Sequence, residues 1–127
     1  MAYAKNGDVK AGRHFAQLAC ESATEYGSRF FFGLASQATA MVEATDGNWQ
    51  EAFAALDRAE EAFAAIPQSY EVARTHLFRA YVRLQRHKPQ DISVAAKELS
   101  RAVPIFVKLG ASASASQARS MLRQLRA

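Results

Sequence analysis

Three histidines, one cysteine and an acidic trio are the side chains from which chemistry would have to be built. His14, His76 and His87 fall on three separate segments, and none has a carboxylate at a spacing that a single helix or turn would bring to it. Asp57, Glu60 and Glu61 share one helical arc, which could hold a cation, but no histidine or second acidic cluster joins them, so a solvated face is the plainer reading. The motifs G-x-S-x-G and H-E-x-x-H are missing, as is any glycine loop of the phosphate-binding kind. Cys20 has no second cysteine to pair with and sits among Ala16, Ala19 and Ala23, the setting of an inert thiol on a packed helix face in a reducing, cytoplasmic compartment. Neither an enzyme, a metal site nor a cofactor is expected.

Binding is better served. Phe30, Phe31 and Phe32 are consecutive, so about a helix they point roughly 100° apart and cannot all enter one core. Phe30 and Phe31, with Leu34 and Met41, could line an apolar docking surface or pocket; burial between hairpins or in a contact between copies would equally explain them. Arg79, Arg83 and Arg86 form a stripe at i, i+4, i+7, with Leu77, Ala80, Tyr81 and Leu84 turned towards a core, and Arg119, Arg123 and Arg126 repeat the pattern near the end. Such stripes can grip an acidic peptide or a phosphate backbone, and a solvated face is their commoner meaning. No aromatic platform accompanies them, so nucleic acid is the disfavoured partner.

The positioning elements must be helices. The 127 residues suffice for one core-forming domain, half are hydrophobic, and only six are Gly and three Pro. No segment alternates as a strand would, no apolar run approaches the roughly 20 residues of a bilayer span, and the first residues lack a basic region followed by an apolar one, so secretion is not expected. Breakers set helices at about 9–26, 29–44, 49–65, 70–86, 93–109 and 112–125, after a stub at 2–5, with Ser69, Asp91 and Ser112 as N-caps. Pro104 falls within the fifth pattern and should bend or end it. Residues 1–66 carry a net charge of −4 and residues 67–127 a net +8, a two-ended distribution that suits an acidic partner or head-to-tail stacking of copies.

The chain also aligns with itself. Residues 6–19 lie over 46–59, placing Gly7 over Gly47, Val9 over Trp49 and Ala19 over Ala59; a third copy sets Ala95, Leu99 and Ala102 over Ala52, Leu56 and Ala59. An Ala-lined hairpin of this kind cannot cover its own apolar face, so hairpins must stack. The run Gly47, Asn48, Trp49, Glu51, Ala52, Leu56 and Ala59 resembles the tetratricopeptide repeat signature, and Tyr3 stands where that family places a tyrosine before the turn glycine Gly7. Ala40 and Ala80 replace the family's helix glycine, Glu43 and Arg83 its tyrosine, and the spacing exceeds the family's usual 34 or so residues. The longer spacing and the closing stretch from Val103 to Leu125 are similar to the divergent repeats of large bacterial ATP-binding transcriptional regulators of the LuxR and maltose-activator type.

That resemblance implies an all-α fold of stacked antiparallel hairpins, a right-handed solenoid of about two and a half repeats. Its units would be 1–27, 28–66 and 69–110, with a last helix at 112–126, in a single repeat domain. The expected role is a non-enzymatic protein–protein interaction or assembly module of a bacterial transcriptional or signalling regulator, binding a protein or peptide, or its own copies, and no membrane. A nucleic-acid-binding repeat and a small-molecule sensor are the alternatives. Residues 1–6 read as the tail of a helix whose front is missing, which suggests a piece or shortened relative of a longer array.

Overall fold

The computed structural model describes residues 7–25 and 27–126, so Tyr3, the stub at 2–5 and the expected helix end at Tyr26 lie outside the described residues. Every element in them is an α-helix: α1 (Gly7–Glu25), α2 (Arg29–Thr45), α3 (Trp49–Ala65), α4 (Ser69–Arg86), α5 (Asp91–Lys108) and α6 (Ser112–Arg126). They fall into two compact units that divide after Gln68, with α1 to α3 in the first and α4 to α6 in the second.

Left-handed residues end most of these helices. Gly27, Gly47 and Gly110 have φ of 69°, 79° and 72°, and at each the next amide reaches back to close the final turn: Ser28 N–H to Ala23 O, Asn48 N–H to Glu43 O, and Ala111 N–H to Phe106 O. At the end of α4 the same task falls to His87 (φ 65°), the non-glycine residue with positive φ among those described. Gly7 belongs to the first turn of α1 rather than to a turn before it.

In the first unit α2 and α3 run antiparallel, since Phe30 at the start of one meets Phe63 at the end of the other, ring centroids 5.9 Å apart and planes at 67°. The contact is close because α2 carries Gly33 at the crossing: a Cβ there would lie 2.5 Å from Cζ of Phe63. Ala52, Leu56, Ala59 and Phe63 make the α3 side of the seam, each without exposed surface, and Ala40 is equally buried on α2. Trp49 stands half-buried at the top of α3. Small residues bring the backbones together and one aromatic fills the space that remains.

The second unit repeats the device. Ala95, Leu99, Ala102 and Phe106 have no exposed surface, and the Phe106 ring meets Tyr70 at 5.6 Å and 63°. Phe106 extends by one member the match of Ala95, Leu99 and Ala102 to Ala52, Leu56 and Ala59, and it corresponds to Phe63. Tyr70 and Ala80 take the places of Phe30 and Ala40 forty residues earlier. Ala115 and Ala118 of α6 complete this core.

Several boundaries differ from expectation. Ser69, Asp91 and Ser112 are the first residues of their helices, and the N-cap whose side chain bonds its helix is Ser28, whose Oγ accepts from Phe31 N–H. Pro104 does not end α5, which continues to Lys108. Both Pro104 and Ser100 are exposed, so the carbonyl that the proline cannot bond is left on the wet side of the helix, where water can take it.

Two substitutions between glycine and larger residues should act in opposite directions. Gly33→Ala places a methyl group against a fully buried ring and should cost about 1–3 kcal/mol in urea unfolding, despite alanine's better helix propensity. His87→Gly relieves a left-handed residue and should add about 0.5–1 kcal/mol, read as a rise in Tm.

Candidate docking groove

A predominantly apolar concavity of the first unit lies between α1 and α2. Ala19, Ser22 and Ala23 form one wall and Phe31, Leu34, Ala35 and Ala38 the other, with Ser28 at the connection, around about 450 Å³ of open groove. It exists because α1 meets α2 through small residues: Val9, Ala16 and Ala23 are its buried contacts, and none can fill the space that a leucine or phenylalanine would. Phe31 is 62% exposed at the groove wall. Phe15, 70% exposed, stands one turn before Ala19 on α1, with Leu18 beside it at 44%.

The four apolar residues expected to act together are divided. Phe31 and Leu34 line the groove. Phe30 is half-buried and packs on Phe63, while Met41 is buried in the interior, and neither lines this groove. Phe32 opens onto a second, more polar depression beside Arg58 and Glu61. Phe15 and Leu18 escaped the sequence reading, although the alignment held the signal. It sets Phe15 over Ala55, a residue without exposed surface.

At the far end of α1 the groove is braced by charge. The Arg13 guanidinium donates to Glu43 from Nε and Nη2, at 3.0 and 2.7 Å, and Nη2 also donates to Asp46 at 2.7 Å. Asn48 Nδ2 donates to the same Glu43 at 3.0 Å. These bonds, that from Arg13 first, hold the Glu43 carboxyl below the usual carboxylate range. Glu43 is therefore a bracket between α1 and the α2–α3 turn.

Arg79, Arg83 and Arg86 do not form an open stripe. Arg79 is 6% exposed, with Nη1 3.5 Å from Oε2 of Glu98. Arg86 forks onto Asp91, Nε to Oδ2 at 2.9 Å and Nη2 to Oδ1 at 2.6 Å, and Arg83 approaches Oδ1 at 3.4 Å. Asp91, which has no exposed surface, also accepts from Lys88 N–H at 3.0 Å. Asp91 thus ties the α4–α5 connection rather than capping the first turn of α5. Its hydrogen bonds, led by Arg86, draw the carboxyl down to about 2 against the burial that opposes them. The stripe turns inward because two of the second unit's three carboxylates stand on the facing helix. The arginines that remain exposed at regular spacing are Arg119, Arg123 and Arg126 of α6.

The fold also supplies a carboxylate to a histidine, which spacing alone did not reveal. His76 Nδ1 lies 2.6 Å from Oε2 of Glu98, twenty-two residues away. An ionised carboxylate has no proton to give, so Nδ1 is the donor. Burial would raise the Glu98 pKa, but the bond from His76 and the charge of Arg79 outweigh it and hold the group low. Both side chains are 8% exposed, so the pair braces α4 against α5 and opens onto neither groove described above. Cys20 is half-buried rather than sealed, with Sγ 3.8 Å from Thr39 Oγ1. Among the described residues no three His, Cys, Asp or Glu side chains converge as metal ligands, the trio of Asp57, Glu60 and Glu61 included, and no helix is long and apolar enough to cross a membrane.

No protein-family model, curated protein or solved structure matches the chain.

Asp91→Ala should destabilise the protein by roughly 2–4 kcal/mol in urea unfolding, because Arg83 and Arg86 lose a buried carboxylate. The folded-state pKa of Asp91 is depressed, so its contribution is complete above about pH 4 and disappears as pH falls through about 2. The acid limb of the stability curve should therefore flatten in the variant.

Proposed function

We propose that this chain is a non-enzymatic protein-interaction module of tetratricopeptide-like helical hairpins, with the groove between α1 and α2 as its docking surface. One observation carries the reading: large apolar side chains, Phe15 and Phe31 above all, stand in water on and beside an apolar groove. Phe63, in the neighbouring seam of the same unit, is by contrast without exposed surface. Exposed aromatic surface beside a concavity is what an apolar helix from another chain would cover, and anchors of this kind carry most of an interface's affinity.

The stacked, right-handed solenoid is part of the proposal. Its support is the recurrence, in both units, of an Ala-Leu-Ala-Phe seam with an aromatic from the preceding helix against its end. The setting is that of a segment of a bacterial transcriptional or signalling regulator in the cytoplasm, on the strength of the longer repeat spacing and the closing stretch from Val103 to Leu125. Nucleic-acid binding through Arg79, Arg83 and Arg86 draws little support, because carboxylates of α5 already engage those side chains.

Site-specific photo-crosslinking tests the reading. A benzoylphenylalanine at position 15 or 31 of the intact chain, illuminated in its native cells, should give discrete adducts identifiable by mass spectrometry, and one at the exposed position 97 should not. Absence of adducts at 15 and 31, or equal labelling at 97, would overturn it.

A further inference from the structure

The proposal that the α1–α2 face is a docking surface leaves its occupant open, and α1 itself indicates one. Ala11, Phe15, Leu18 and Ser22 are exposed at i, i+4, i+7 and i+11, a single stripe along α1 on the side away from its buried Val9, Ala16 and Ala23. On α3 the position matching Phe15 is Ala55, which has no exposed surface. A stripe at helical spacing along α1 fits a second helix.

The charges beside the stripe choose which helix. Lys10 lies near the start of α1 and Glu21 and Glu25 near its end, all exposed, on one flank of the stripe, and outside any ion pair among the described residues. This order opposes α1's own dipole, which favours acids at the start and bases at the end. Resting on the docking reading above, we propose that the occupant is a second copy of this chain, its α1 packed antiparallel to the first across a two-fold axis.

With the axis between Phe15 and Leu18, each Phe15 meets the second copy's Leu18, and the apolar stripe is self-complementary. Each Lys10 then stands level with position 23 of the other α1, between its Glu21 and Glu25 on the same flank. A parallel pair related by a two-fold would carry the two charged flanks to opposite sides of the contact, leaving Lys10 and the glutamates without these partners. The antiparallel pair also places each misoriented charge against its opposite, which offsets what it costs within its own helix.

Sedimentation equilibrium of the intact chain at low salt provides the test. The unaltered protein should be a dimer, and Phe15→Glu, at a residue already 70% exposed, should yield a folded monomer by circular dichroism. Lys10→Glu should raise the dimer dissociation constant roughly tenfold, and Glu21→Lys with Glu25→Lys should do the same. All three substitutions together restore opposite charges across the axis and should return the constant to within about threefold of the original. A monomeric unaltered protein, or a triple variant no tighter than the partial ones, would overturn the antiparallel pair. If crosslinks at position 15 then join a different protein, the docking reading stands without the second copy. If there is neither dimer nor crosslink, both fall.

Discussion

The structure depends on how closely two helices can approach before a side chain stops them. Along α2 and α3 the stop is the Phe63 ring, which seats against the bare backbone of Gly33, and the rest of the α3 side of the seam is alanine and a single leucine. Dispersion and burial reward that approach only if every position on the seam stays small, so the alanines are a dimensional requirement. The second unit meets the requirement differently, with Ala73 where the first has Gly33 and Tyr70 where it has Phe30. A seam this narrow leaves the larger hydrophobic side chains few internal places, and in the first unit Phe15, Leu18 and Phe31 stand at the surface.

Polar groups follow from the same geometry. Close helices bring long charged side chains over the seam's edges, where they are partly or wholly removed from water and must find opposites. Glu43, Asp91 and Glu98 are those opposites, each fixing a junction: α1 with the α2–α3 turn, the α4–α5 connection, and the middle of the α4–α5 pair. Removal of one partner from such a pair costs more than the pair contributed, so these carboxylates act as fasteners whose absence would be felt at a distance.

Helix positions were legible in the sequence because glycine and proline punctuate it, and the repeated Ala52, Leu56, Ala59 and Ala95, Leu99, Ala102 named the seam residues before any coordinates. Helix starts were less so: Ser69, Asp91 and Ser112 looked like caps, but a side chain with a competing partner, as Asp91 has in Arg86, abandons the local bond. The docking surface was half legible. Three adjacent phenylalanines announced that one must face outward, but which one depended on Gly33 admitting Phe63, and so on α3. The arginine stripe misled because a helical wheel shows which side chains share a face and not what stands opposite, and Glu98 and Asp91 are far along the chain.

Pro104 has a consequence for how the second unit breathes. With no amide proton at that position, the hydrogen-bond ladder of α5 has a missing rung between Ser100 and Pro104. Solvent exchange at the amides from Ile105 onward is thereby uncoupled from that at Leu99 and its neighbours, and the last turn can open while the first three remain shut. Phe106 lies on the loosened side of that rung. The fully buried Phe106 ring, packed on Tyr70, is therefore what ties the last turn of α5 to the core across that gap.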